Sequence, residues 1–217
     1  MDKKKTTRLL IILSAAILVV DQVVKILVKT HMHLGEDIPL IGTWCHLHFV
    51  ENEGFAFGTA IGGITGKYIL TLFRIAASAF IAWLIAKYIR EGQRKSLVLS
   101  LTLILAGALG NIIDSCFYGL IFNESYYNVA TLFPPEGGYA PFLQGRVVDM
   151  FYFPLFELDW PLWVPFVGGQ HFEFFSAIFN VADSAVTIGV FWLLIDQLFI
   201  APKHSKSKKS KSTEASE

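Results

Sequence analysis

Charge is scarce in this chain. Charged residues make up 17% of the 217 and hydrophobic ones 53%, with a mean hydropathy of +0.51. A water-soluble domain of this length carries more charge, so a bilayer is the natural solvent for much of it. Cysteine is nearly absent: Cys45 and Cys116 stand far apart, which excludes a disulfide-stapled scaffold and leaves both thiols expected to be free. Net charge is missing as well, with 18 Lys and Arg against 18 Asp and Glu, and no nucleic acid is expected as a partner. There is no internal repeat. No small-residue cleavage site follows the first apolar run, where Asp21, Gln22 and Lys25 stand instead, so that run is read as retained and not as a removed secretory signal.

What is present is four apolar segments, at about 9–28, 68–89, 96–116 and 175–199, each near or above the roughly 18–20 residues that cross hydrocarbon as a helix. The basic residues cluster at Lys3, Lys4, Lys5 and Arg8, at Lys87, Arg90, Arg94 and Lys95, and in the tail from Lys203 to Lys211. By the positive-inside rule these regions are cytoplasmic, so both termini share one side. The two long loops, 29–67 and 117–174, are poor in Lys and Arg and are expected outside. The alternating run Trp44 to Val50 in the first suggests a strand. The aromatic residues of the second suit a segment resting at the lipid interface. Residues 1–202 are expected to form one membrane-embedded domain, and 203–217 a basic, disordered cytoplasmic tail.

Charges inside spans are expensive, so each marks a candidate site. Asp21 and Lys25 are an i, i+4 pair on the first helix. The third ends in Gly107-Ala-Leu-Gly-Asn-Ile-Ile-Asp114, and Asn180, Asp183, Ser184 and Thr187 share a face of the fourth. Asp183 would lie about 12 Å past a helix start near residue 175. All these carboxylates would then fall at one depth, in the outer leaflet. Asp149 is flanked by Val147, Val148, Met150 and Phe151. A carboxyl so placed is poorly solvated, which favours its protonated form.

Asp149 and Asp183 therefore make a candidate aspartyl-protease dyad, sharing one proton because both cannot ionise cheaply. The plainer alternative has Asp183 in polar helix packing and Asp149 in an ordinary turn. Glu51 and Glu53 are expected to be solvated loop charges. His31/His33 and His46/His48 form His-x-His pairs without an accompanying zinc helix, and neither metal nor cofactor is expected. A non-enzymatic membrane binding protein or proton-coupled transporter would use the same buried carboxylates. A metal-dependent hydrolase is the third class.

Five short blocks follow one another from residue 21 to 184: Asp21-Gln-Val-Val-Lys25, Asn52-Glu-Gly-Phe-Ala-Phe57, Gly107 through Asp114, Gly145-Arg-Val-Val-Asp149 and Phe179-Asn-Val-Ala-Asp183. In this order they resemble the lipoprotein signal peptidases, or type II signal peptidases. The resemblance implies an all-α membrane protein of four transmembrane helices with a small extracytoplasmic β-sheet cradle and a long outer loop acting as a lid. It implies a protein of the bacterial inner membrane, among membrane lipids, with its active site near the outer leaflet; a monomer is expected. Its substrates would be diacylglyceryl-modified prolipoproteins, cleaved just before the lipidated cysteine. It assigns catalysis to Asp149 and Asp183, and substrate binding or support of the site to Asn52, Gly54, Asn111, Asp114, Asn180, Asp21 and Lys25. The third block ends Asp114-Ser115 where the family has Asp-Arg, so if the site needs a cation there, another residue must supply it. Arg146 is the favoured candidate and Arg74 the other. The connections between the third and fourth blocks, and between the fourth and fifth, are longer than the pattern leads one to expect.

Overall fold

Long, proline-free apolar runs become helices because a backbone in hydrocarbon must bond to itself. In the computed structural model, which describes residues 3–53 and 63–201, α1 spans Lys3–His31, α2 Gly63–Glu91 and α3 Lys95–Ile113. α3 continues through a π turn, Asp114–Tyr118, into a short α4, Gly119–Ile121, and α5 spans Val181–Ile195. Among the described residues, four helical stretches are long and apolar enough to cross a membrane. Only 11–17% of the most apolar windows of α1, α2 and α5 is buried, against 50% for α3. Leu9 and Ile11 on α1, Phe73 and Phe80 on α2, and Ile188 and Phe191 on α5 are all exposed, as lipid-facing side chains are. Gly54 and the tail 203–217 lie outside the described residues.

The fourth helix begins at Val181 and not near residue 175. Ile178 and Phe179 form a strand, β6, paired with Phe151 and Tyr152. A short apolar strand running straight into an apolar helix is continuous in hydropathy, so only the pairing partner reveals the boundary. Asp183 therefore lies in the first turn of α5, not two turns into it.

The residues divide into two compact units. One takes in the described residues up to Val20, Phe73–Gly110 and those from Val181 onward. Its described elements are all helices, with residues 92–94 as the turn between α2 and α3. A Cβ at Gly107 would strike the Ala182 carbonyl and the Val186 side chain, so the missing side chain is what lets the first turn of α5 press onto α3. Arg94 Nη2 meets the fully buried Asp196 Oδ2 at 2.6 Å, and Trp192 Nε1 donates to Ser96 Oγ at 2.9 Å.

The other unit comprises Asp21–Leu72 and Asn111–Asn180. Its sheet is antiparallel, in the order β1 (Asp37–Ile41), β2 (Cys45–Asn52), β3 (Val147–Tyr152), β6 (Ile178–Phe179). β4 (Phe156–Asp159) and β5 (His171–Phe174) form a separate hairpin. The core gathers Val28 of α1 and Met32 just after it, Phe49 from β2, Tyr118 and Phe122 from around the end of the third span, and Val148 and Met150 from β3. The first half of the long loop folds back on that span: Tyr139 N–H donates to Phe122 O, Ala140 N–H to Gly119 O and Gly145 N–H to Ser115 O, at 2.9 Å each. Cys45 and Cys116 are free and buried.

Gly145 is what brings β3 against the π turn. A Cβ there would overlap the Asp114 carbonyl and crowd the Gly119 nitrogen, both backbone groups that cannot swing aside. Gly145→Val should therefore cost about 1–3 kcal/mol of stability, read as a lowered unfolding midpoint in detergent, and should lower activity with it.

Candidate active site

Asp149 sits in the middle of β3, opposite Val50 of β2, and is 3% exposed. Asn180 Nδ2 donates to Asp149 Oδ1 at 2.7 Å, and Asn52 Nδ2 donates to Oδ2 at 3.2 Å. Two neutral amides thus orient both carboxylate oxygens. Asn52 closes β2 and Asn180 follows β6, the strands on either side of β3, so the sheet register itself delivers both amides. Asn180 is completely buried and also reaches Val148 O and Asn111 Oδ1, at 3.2 Å each.

Asn111 Oδ1 is shared: Lys25 Nζ donates to it as well, at 2.9 Å. The same ammonium meets Asp21 at 2.9 Å and Asp114 at 2.6 Å, all three groups fully buried. Gln22 Nε2 donates to Asp114 Oδ1 at 2.9 Å, Tyr118 Oη donates to Gln22 Oε1 at 3.2 Å, and Val148 N–H points at Asp114 Oδ2 from 3.4 Å. A continuous chain of polar contacts therefore runs from Asp149 through Asn180, Asn111 and Lys25 to Asp114. Asp21 and Lys25 form more than an intrahelical pair, because their charge balance includes a carboxylate from another span. The sequence assigned no site role to Gln22, which lies inside the first block, or to Tyr118, four residues after Asp114.

Of the two glutamates expected to be solvated, Glu53 is 49% exposed and Glu51 is the correction. Glu51 has a side chain only 2% exposed, paired with Lys29 and accepting from Ser125 Oγ at 2.8 Å. Arg146 Nη1 meets Glu51 at 3.0 Å and Glu124 at 2.5 Å, and its Nε meets Glu53 at 3.1 Å. Its guanidinium also lies over Tyr126 and Tyr139, 5.1 and 4.9 Å from the ring centroids. Lys67 completes the set by pairing with Glu53 at 2.6 Å. Arg146 is thus committed to three glutamates, and the cation held by Asp114 is Lys25, on another helix. Ser115 Oγ donates to Asn111 O at 3.0 Å. Arg74 lies in α2, in the other unit. Lys29 extends the Asp21, Lys25 spacing by four residues, which is the signal that would have found it.

Burial alone would raise the Glu51 carboxyl, but the Lys29 charge and the hydrogen bonds from Lys29, Ser125 and Arg146 outweigh it and hold it below the usual carboxylate range. Folding then favours the ionised form. That contribution is complete above the unfolded carboxylate pKa, about 4.3, and is lost as pH falls through the depressed folded value. Unfolding midpoints should drop on acidification below about pH 4, and Glu51→Gln should be less stable at pH 7 with a flatter acid limb. An unchanged acid limb would assign the titration to other groups.

His46 Nδ1 pairs with Asp37 Oδ1 at 2.9 Å across the β1–β2 pair. Among the described residues there is no group of three or more His, Cys, Asp and Glu side chains arranged to hold a metal ion. Asp183 is the acidic residue of the first turn of α5, three positions after Asn180.

The sequence was compared with known proteins. The model of the family described as signal peptidase (SPase) II matches residues 13–199. A lipoprotein signal peptidase of Porphyromonas gingivalis is 52% identical over 180 residues, 82% of this chain and 78% of the relative. One of Amoebophilus asiaticus is 36% identical over 184 residues, 82% of this chain and 73% of its own. Among solved structures, a bacterial membrane enzyme determined by the in meso method aligns with a TM-score of 0.57 at 25% identity, covering 87% of each chain. With a model match over most of its length and a relative identical at half of the aligned positions, this chain belongs to the signal peptidase II family.

Proposed function

We propose that this chain is an aspartyl endopeptidase that removes signal peptides from diacylglyceryl-modified prolipoproteins, cleaving just before the lipidated cysteine, with Asp149 and Asp183 as its dyad. The observation that carries the reading is the setting of Asp149: a buried carboxylate at the centre of a strand, both oxygens held by Asn180 and Asn52. The residue after Asn180 opens α5, whose first turn carries Asp183. In the proposed reaction one carboxylate, ionised, takes a proton from water as its oxygen attacks the scissile carbonyl. The other, protonated, donates to the carbonyl oxygen as negative charge develops there. Collapse of the tetrahedral intermediate breaks the C–N bond, and the proton first taken from water goes to the leaving amine. The Lys25 network stands behind this site as support, reaching Asp149 through Asn111 and Asn180.

The chain is a multi-pass membrane protein of a bacterial family. In this reading both termini face the cytoplasm and the sheet faces outward, where an exported substrate presents its cleavage site. Purified protein given a diacylated lipobox peptide should cleave before the modified cysteine, equally with and without EDTA; strong inhibition by EDTA would move the assignment to metal chemistry. Thiol labelling in intact cells should reach Gly137→Cys from outside and Gln93→Cys only after permeabilisation, and the reverse pattern would overturn the orientation.

A further inference from the structure

The β4–β5 hairpin is not used by the proposed chemistry, and its composition is sharply divided. From Trp160 to Gln170 the chain reads Trp-Pro-Leu-Trp-Val-Pro-Phe-Val-Gly-Gly-Gln, without one charged residue. Leu162, Trp163 and Phe166 project from this tip at 88%, 81% and 100% exposure. Phe166 does so at φ 69°, a left-handed conformation that a bulky aromatic residue adopts only at a cost.

The strands sort in the same way. The register pairs Phe156 with Phe174 and Leu158 with Phe172, and pairs Glu157 with Glu173 and Asp159 with His171. Alternation puts the first four residues on one face and the charged four on the other. Phe156 and Phe174 stack at 4.8 Å between ring centroids. The charged face is tethered, because Tyr152 of β3 donates its hydroxyl proton to Glu173. That bond to a carboxylate pushes the Tyr152 phenol up to about 12.

Apolar side chains at a loop tip require something to cover them. Part of the tip's backbone is paired within the hairpin: Val164 N–H donates to Pro161 O and Gln170 N–H to Val167 O at 3.0 Å, Gly168 N–H to Val164 O at 2.9 Å and Gly169 N–H to Trp160 O at 2.8 Å. Pro161 and Pro165 have no N–H to satisfy. A loop that pairs part of its backbone internally has fewer polar groups to desolvate at a lipid boundary. Its Trp and Phe residues suit the headgroup boundary. The chain is also continuous with a span, since only residues 175–180 separate β5 from α5. We propose that the β4–β5 hairpin is an interfacial anchor, its uncharged tip of Leu162, Trp163 and Phe166 seated in the leaflet that α5 enters. The tether at Glu173 keeps the charged face out of the lipid. The proposal rests on α5 being a membrane span and is independent of the peptidase reading.

The test is spin-label accessibility on the full chain in nanodiscs of phosphatidylethanolamine and phosphatidylglycerol, one copy per disc, without substrate. Cys45 and Cys116 are replaced by Ala, and a nitroxide is placed at Phe166→Cys or Asp159→Cys. The ratio of oxygen to nickel-chelate accessibility should be several-fold higher at Phe166→Cys than at Asp159→Cys, and Trp163→Cys should repeat the result should Phe166→Cys fail to fold. Equal ratios at the tip and at Asp159→Cys would overturn the anchor. Protection that arises only when diacylated peptide is added would give the surface to the substrate's acyl chains. Protection that arises only with two copies per disc would give it to a second copy. Either result would also overturn the proposal.

Discussion

Asp149→Asn and Asp183→Asn should each lower the rate of cleavage of a diacylated lipobox peptide by about a thousandfold or more, at the upper end of what a positioned acid or base contributes. Asparagine keeps the size of aspartate but neither ionises nor shares a proton, so the water loses its base or the carbonyl its acid. In Asp149→Asn the new amide still offers an oxygen to Asn180 Nδ2 and loses only the second acceptor, the one Asn52 uses. The variant should therefore fold, with an unfolding midpoint close to wild type and KM little changed. Asp114→Asn should retain measurable activity, because Asp114 meets Lys25 and Gln22 and reaches Asp149 through intermediaries. The wild-type rate should follow a bell-shaped pH profile whose two limbs belong to the pair jointly. Normal turnover in either dyad variant would remove that residue from the mechanism.

The spans were readable in the sequence because hydropathy is a local property, and the helix of Lys3–His31 needs no partner to be recognised. The first turn of α5 was misplaced for the converse reason: Ile178 and Phe179 are strand residues only because Phe151 and Tyr152 lie beside them. The charged members of the buried polar network, Asp21, Lys25 and Asp114, could be named one by one from the rule that charges in a span are costly. Their connections could not, since Asn111 joins Lys25 to Asn180 across three segments far apart in the chain. Glu51 was misread through the same gap. Beside a glycine-containing turn a glutamate looks solvated, and nothing local announces that Lys29, Ser125 and Arg146 fold over it. The charged face of the β4–β5 hairpin likewise exists only once the register is set.

Lys25→Met should be the most destabilising single change in the network. Lys25 Nζ holds Asp21 at 2.9 Å, Asp114 at 2.6 Å and Asn111 Oδ1 at 2.9 Å, in a place where none of the three charged groups is exposed. Removing the cation leaves two carboxylates facing each other without water, and one of them must protonate or the helices must part. Breaking a buried pair in this way costs about 3–5 kcal/mol, so the unfolding midpoint in detergent should fall well below that of Asp114→Asn, which keeps the Lys25–Asp21 pair. Lys25→Arg should not restore it, because a planar guanidinium cannot occupy the compact three-acceptor position of an ammonium. The triple variant Lys25→Met with Asp21→Asn and Asp114→Asn leaves no buried charge and should recover much of the stability. Its activity should stay low, because Asn111 would no longer be held by Lys25 and would fix Asn180, and through it Asp149, less firmly. A triple variant as active as wild type would reduce Lys25 to a packing residue, whereas recovered stability with a lowered kcat and an unchanged KM would identify it as the group that positions Asp149 through the two asparagines.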